Sequence, residues 1–317
     1  MFVVIGTVTA DLMVCSEVAL ANLGGDGFRS SNLVFTDAPI NISMGGNGGN
    51  SAYALAALGV PTALCGAVGQ DLLGNALVDW LKERGVDLRG LLRSANEATS
   101  SSTIIMTDSA NQVVFHHLGA TRAAAFEDFP DALFAEASVL LVSSFSLMPK
   151  LRTGGFAHAL RHVKQAGGIT ALDVGPAIGE PVTLQELLPL ISDVDYLLAN
   201  THELVVLTNA TSWQNGAKQA LAAGIRQLVI KQGAAGSALW TESQQIHVPA
   251  FKVASNISVG AGDSFNAGFL YGVQQGWSWE QALRFGNATA ALVVSGSRGI
   301  LDSPTLQQVE SFLHAQP

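Results

Sequence analysis

The sequence predicts an α/β fold built on a mostly parallel sheet with helices packed against both faces. Short, continuously apolar runs rich in β-branched residues recur along the chain, and segments of helical period separate them. Two stretches in the first half break this alternation and read as a small β element set on the main sheet.

The chain opens with MFVVIGTVTAD, which reads as a first buried strand ending at Asp11 and not as a secretory leader, because no basic residue precedes the apolar run. Residues 11–42 hold no convincing helix. The helix at 71–84 lines Leu73, Leu77, Trp80 and Leu81 along one side, with Asp71 placed to cap it and Gly85 to close it. Residues 99–118 read as a hairpin, STIIMTD and QVVFHHL flanking a Ser109-Ala110-Asn111 turn, with His116 and His117 facing opposite ways. Then VLLV (139–142) forms a strand, and a helix around 151–166 carries Leu151, Ala159, Leu160 and Val163 on one side. GITALDV (168–174), DYLLAN (195–200) and QLVIK (227–231) are the next strands, the last preceded by a helix around 215–223. PAFKVAS (249–255) is a weaker extended segment, and a final glycine-rich turn opens a helix at Asp263. The whole chain, 1–317, is read as one domain, with residues of about 11–42 and 97–121 combining into a discontinuous β lid.

Bulk composition narrows the function. A chain of 317 residues, 48% of them hydrophobic, can bury a large core, and no uninterrupted apolar run reaches the roughly 18 residues of a membrane span. Twenty-five acidic against 16 basic side chains, a formal charge of −9, argue against nucleic acid or an anionic membrane as partner. Two cysteines, Cys15 and Cys65, make no disulfide framework, and a reducing, cytoplasmic setting is expected.

Ligands on open parallel sheets bind at the carboxyl ends of strands, where this sequence sets Asp11, Asp173, Asn200 and Lys231-Gln232-Gly233. The turn Gly260-Ala261-Gly262 before Asp263 is not a P-loop, since no G-x-x-x-x-G-K-[ST] occurs. Nor is it a dinucleotide fingerprint, because Phe265 fills the third glycine slot; GNGGNS (46–51) fails likewise at Ser51. A small-residue turn opening a helix is either a structural turn with Asp263 as a first-turn carboxylate or an anion site. A carboxylate beside bound phosphate has chemical work in phosphoryl transfer, where it takes the acceptor hydroxyl's proton while the turn amides hold developing charge.

GAGDSFNAGF (260–269) resembles the C-terminal signature of the ribokinase-like (PfkB) family of carbohydrate and nucleoside kinases. GGNGGNSAYALAALG (45–59) is similar to that family's sugar-binding glycine motif, CGAVGQDLLG (65–74) to its G-x-V-G-x-D-x-x-G segment, and NTHE (200–203) to its N-x-x-E motif. KQGAAG (231–236) and FGNATAAL (285–292) resemble the segments lining the ATP phosphates and the adenine. All six stand in family order. The resemblance implies a three-layer α/β/α ribokinase-like fold with a β-sheet lid, and ATP and Mg²⁺ as cofactors. It implies Asp263 as catalytic base with Gly260, Ala261 and Gly262 as anion hole, and Asp11, Gly45, Gly46, Asn47 and Asn50 at the acceptor. Asn200 and Glu203 would organise Mg²⁺, Glu203 through water, while Lys231, Gly233, Gly236 and Asn287 border ATP. The acceptor would be a small sugar, with a nucleoside as the alternative and a non-catalytic sugar- or nucleotide-binding protein as the reading from another class. Lids of this family often pair edge to edge, which implies a homodimer. Many members carry Asp-Thr-Thr ahead of Gly-Ala-Gly-Asp, part of a monovalent-cation site; here Ile257, Ser258 and Val259 stand there, so only weak K⁺ dependence is expected. Phe145, apolar where ribokinase has Glu, and Asn47, where ribokinase has Lys, argue against ribose and leave the acceptor open.

Overall fold

A computed structural model describes residues 1–15, 35–36, 39–106, 112–254 and 259–316. In chain order its strands are β1 (Phe2–Ile5), β2 (Thr9–Cys15), β3 (Asn41–Gly45), β4 (Thr62–Gly69), β5 (Leu91–Ser94), β6 (Ser100–Met106), β7 (Gln112–His117), β8 (Val139–Val142), β9 (Ile169–Asp173), β10 (Tyr196–Asn200), β11 (Gln227–Lys231), β12 (Ser237–Trp240) and β13 (Gln245–Val248). Its helices are α1 (Asn47–Ala57), α2 (Leu72–Glu83), α3 (Asp131–Ala135), α4 (Phe156–Gln165), α5 (Leu184–Leu187), α6 (Thr201–Thr208), α7 (Trp213–Ala222), α8 (Ala261–Gln274), α9 (Trp279–Ser295) and α10 (Leu306–Ala315).

Among the described residues the central sheet runs β13-β12-β11-β10-β9-β8-β1-β4-β5. Every pairing from β11 through to β5 is parallel, while β12 and β13 add an antiparallel edge. The continuous apolar strands follow from burial on both faces. Val3, Ile5, Leu140, Val142, Leu197, Leu228 and Ile230 point into one core, shared with Leu160 and Val163 of α4 and Leu204 and Leu207 of α6. Phe2, Val4, Val139, Leu141, Leu198 and Val229 point into the other, with Leu77 and Leu81 of α2, Phe265 and Phe269 of α8 and Phe285 of α9. A side-chain period of two therefore yields two cores, one per face.

A second, four-stranded sheet runs β3-β2-β6-β7. It places Asp11 elsewhere than the sequence reading did: the first run is two strands, and Asp11 lies within β2, paired with Ser43 of β3 and Ser102 of β6. The break has a steric cause. Gly6 follows β1 with its backbone against Gly48, so close that a Cβ on Gly48 would stand 2.5 Å from the Gly6 carbonyl carbon, and the chain must turn out of the central sheet. Most of residues 11–42, the tip of the 99–118 hairpin and residues 257–258 lie outside the described residues.

Two further differences are local. The helix expected from residue 151 starts regularly only at Phe156, because Thr153 and Gly154 (φ 136°) leave helical geometry. PAFKVAS forms no strand over its described part; the chain passes from β13 straight toward α8. Asp71 caps α2 as expected, accepting from Gly74 N at 2.8 Å, and it also holds Thr99 N at 2.7 Å.

Candidate functional site

Strand order reverses at β1, which has β4 on one side and β8 on the other, and open α/β sheets bind ligands in the crevice outside such a point. Here the crevice lies beyond Thr7 and Ser144, whose hydroxyls meet at 2.9 Å. Two helix N-termini close on it. α1 begins after Gly46, whose φ of 80° no L side chain adopts easily and where a Cβ would stand 2.5 Å from Thr7 O. α8 begins after Gly260 at φ 83°. Its first intrahelical bond runs from Ser264 N to Gly260 O at 2.9 Å, so the amides of Ala261, Gly262 and Asp263 have no intrahelical acceptor.

Asp263 joins the two helices. Positions three apart share a helix face, and Asn47 and Asn50 use that face of α1 to grip one carboxylate. Asn47 Nδ2 donates to Asp263 Oδ1 at 2.9 Å and Asn50 Nδ2 to Oδ2 at 2.8 Å. Asp263 is buried, and burial pushes its carboxyl up to about 6 against the pull of the Asn50 bond; Asp173 adds to the rise and Lys231 opposes it. Asn50 Oδ1 is buried with no partner among the described residues, an acceptor awaiting a donor.

Beside this pair, Lys231 at the end of β11 donates to Asp173 Oδ2 at 2.6 Å, and Asn266 of α8 donates to the same oxygen. Asn200 and Glu203 form a capping box on α6: Glu203 N reaches Asn200 Oδ1 at 2.8 Å and Asn200 N reaches Glu203 Oε2 at 2.7 Å. Burial, with Asp173 and Asp263 nearby, lifts Glu203 to about 7 in spite of Lys231. Three carboxylates thus face one ammonium.

A cavity of about 320 Å³ adjoins the α8 N-terminus, lined by Lys231, Gly233, Gly236, Ala261, Gly262 and Asn287 together with apolar Phe251, Phe265, Ala290 and Val294. Gly233 (φ 57°) leaves open space above it, whereas a Cβ on Gly236 (φ 103°) would run into Val248 O. Small residues here let the backbone form the cavity wall. A polar, amide-lined end and an apolar end suit a ligand with an anionic tail and a flat, less polar head.

The family model described as pfkB family carbohydrate kinase matches residues 3–306. The chain belongs to this family. Among its pfkB relatives, the 5-dehydro-2-deoxygluconokinase of Clostridium perfringens is 25% identical over 286 residues, 86% of this chain and 84% of that one. The nucleoside kinase of Methanocaldococcus jannaschii is 27% identical over 267 residues, 84% and 83% of the two chains. The solved structure of Arabidopsis thaliana ribokinase complexed with ribose and ATP matches with a TM-score of 0.80 at 25% identity over 98% of each chain.

In this pfkB chain the residues singled out from sequence, beyond Asn200 and Glu203 in the α6 capping box, fall into three groups. Asn47, Asn50 and Asp263 meet directly, with the 260–262 turn at their side. Gly233, Gly236, Lys231 and Asn287 share the cavity wall, although Asn287 Nδ2 is already engaged by Val248 O at 3.1 Å and Pro249 O at 3.2 Å. Asp11 lies on the second sheet against Gly45, the residue before the α1 entrance, where a Cβ would collide with its carboxylate; burial raises it to about 6 although Ser102 bonds to it. Ser102 also meets His116 Nδ1 at 3.1 Å. Phe145, apolar where ribokinase has Glu, stacks on Phe156 at 4.9 Å inside the core. Sequence reasoning passed over Thr7 and Ser144, which lie in no quoted motif, and gave no role to Asn266 although it lies inside GAGDSFNAGF (260–269); Asp173 was visible as a strand-end carboxylate, but its partners were not.

Proposed function

We propose that this chain is an ATP-dependent kinase that moves the γ-phosphoryl group of ATP onto a hydroxyl of a small sugar. The observation that carries the proposal is Asp263: a buried carboxylate, both oxygens gripped by amides, standing in the first turn of a helix whose free N–H groups border an open cavity. Asp263 takes the proton of the attacking hydroxyl, and its value of about 6 leaves it ionised at neutral pH yet more basic than an exposed aspartate. The amides of the 260–263 turn accept the charge gathering on the transferred group. Asn50 Oδ1 and the Asp11 carboxylate receive further acceptor hydroxyls, and Asn47 serves chiefly to hold the base. ATP occupies the cavity, its phosphates toward Lys231 and Gly262 and its base toward Phe251, Asn287 and Val294.

The surplus of carboxylates over ammonium fits a divalent cation, since bringing ATP to this site without one would add like charge to like. Asn200 and Glu203 would hold Mg²⁺ through water, Glu203 with the carboxylate oxygen that the capping box leaves unused. When bound it supplies neutralising charge to the phosphates. The second sheet acts as a lid that keeps water from competing with the sugar. Ile42, Val114 and Phe115 on that sheet stand exposed, which supports pairing of two copies through it; a monomer alone in sedimentation velocity would remove that part. The buried free thiol of Cys65 is in keeping with a cytoplasmic setting. A nucleoside acceptor is the second reading, favoured by the likeness to the nucleoside kinase above.

ADP release measured over a panel of sugars, sugar phosphates and nucleosides, with and without Mg²⁺, tests the proposal. One sugar should stimulate release in a Mg²⁺-dependent way, and Asp263→Asn should cut turnover by about 10²- to 10⁴-fold while leaving ATP binding near native. Turnover close to native in Asp263→Asn would remove the base, and binding of sugar and ATP with no turnover by the native chain would leave a non-catalytic binding protein.

A further inference from the structure

Ser144, two residues beyond the end of β8, lies in the left-handed region, at φ 59° and ψ 34°, and is fully buried. Among the described residues other than glycine only Asn209 shares a positive φ, and it closes a helix, where such a conformation is ordinary. Serine has no steric excuse for this geometry, so its surroundings must hold it there. Gly175 makes the room: a Cβ at that position would stand 3.1 Å from Ser144 N.

The turn aims the Ser144 hydroxyl at two groups. Thr7 N donates to Ser144 Oγ at 3.3 Å, and Thr7 Oγ1 lies 2.9 Å away; on the other side Asn47 Oδ1 lies 3.3 Å from Ser144 Oγ. The direction of each bond follows from what each group can do. A backbone N–H only donates, and an ionised carboxylate only accepts. Asn47 therefore presents Nδ2 to Asp263 and Oδ1 to Ser144, Ser144 donates its single proton to Asn47, and Thr7 donates to Ser144. Turning the Asn47 amide over would set its oxygen against the Asp263 carboxylate, lose the Nδ2–Oδ1 bond and take away the acceptor of the Ser144 proton.

We propose that Ser144 is a positioning residue for the reaction, its hydroxyl locking the Asn47 amide so that Nδ2 faces Asp263. The inference rests on the reading of Asp263 as base, yet its test needs no acceptor. Besides Asn47 and Asn50 from α1, the charged groups acting on Asp263 are Lys231 of β11, Asp173 of β9 and Glu203 of α6, all unchanged in the variants below. Enzyme labelled with [¹³Cγ]aspartate reports the Asp263 titration directly, the resonance being assigned by its loss in Asp263→Asn. In Ser144→Ala and Ser144→Gly alike the midpoint should rise by roughly half a pH unit to one unit, about a three- to tenfold change in proton affinity, as one hydrogen bond to the ionised form is loosened. Asn47→Ala should raise it as far, and Asn47→Ala with Ser144→Gly no further. Ser144→Gly also frees the backbone of its left-handed restraint, which offsets part of the loss of the hydroxyl's buried bonds, so it should melt no lower than Ser144→Ala and carries the test if Ser144→Ala fails to fold. A native Asp263 midpoint in Ser144→Gly, or a further rise when Ser144→Gly is added to Asn47→Ala, overturns the positioning role. Either result leaves the base reading standing, since turnover of Asp263→Asn judges that separately.

Discussion

Replacing Lys231 by methionine tests the electrostatic frame of the site. Lys231 Nζ lies 2.6 Å from Asp173 Oδ2, with side chains only 14% and 1% exposed, so solvent screens the pair little. Burial pulls the ammonium toward its neutral form, but Asp173 and Glu203 together outweigh this and lift it from its ordinary 10.5 to about 12. That rise is worth about 2 kcal/mol of stability. Because the folded value is the higher one, the contribution is complete below about pH 10.5 and fades only as pH climbs toward 12, so an assay at pH 7 reads all of it. Removing the ammonium also strands Asp173 as a buried charge, for which about 3–5 kcal/mol is usual. The second figure exceeds the first because it counts the abandoned carboxylate, and it is the expectation for Lys231→Met. Urea unfolding followed by circular dichroism measures it, and Lys231→Met with Asp173→Asn should recover most of the loss. A single variant within about 1 kcal/mol of native, or a double variant no better than the single, would refute the pairing as a source of stability.

Activity should fall on the acid side as Asp263 takes up a proton near pH 6, and Glu203, near pH 7, and Asp11, near 6, should steepen that limb. Asn50→Ala withdraws a bond that favours ionised Asp263, so the limb should move to higher pH by roughly half a unit to one unit; an unmoved kcat/KM profile counts against Asp263 as the titrating base. Asp263→Asn should lower kcat by about 10²- to 10⁴-fold, the usual worth of a general base, with ATP affinity by calorimetry near native. Adding K⁺ to a K⁺-free assay should change the rate little, since Ile257 supplies no carboxylate ahead of the turn; strong activation would mean a cation site of other composition.

Much of the fold was legible because its signals are local. A short, mostly apolar run between helical segments is enough to mark β8, β9, β10 and β11, since a strand buried on both faces needs nothing else. The spacing of Asn200 and Glu203 was legible as an N-x-x-E motif, though the capping box they form was not, and a carboxylate in the first turn behind Gly-Ala-Gly was legible too. Helix starts were less so where backbone geometry intervened, as at Gly154.

What the chain alone determined, then, was its layered architecture, the glycines at the two helix entrances and Asp263 at one of them, all set by periods of two and 3.6 and by φ values that only glycine tolerates. The tertiary structure decided which groups meet. Asn47 and Asn50 reach Asp263 across more than two hundred residues, Ser144 reaches Asn47 because β8 lies beside β1, Phe145 turns into the core, and Asp11 leaves the central sheet where Gly6 meets Gly48. Hydrogen bonds between such positions depend on strand order and crossover, and no local repeat of the sequence encodes strand order.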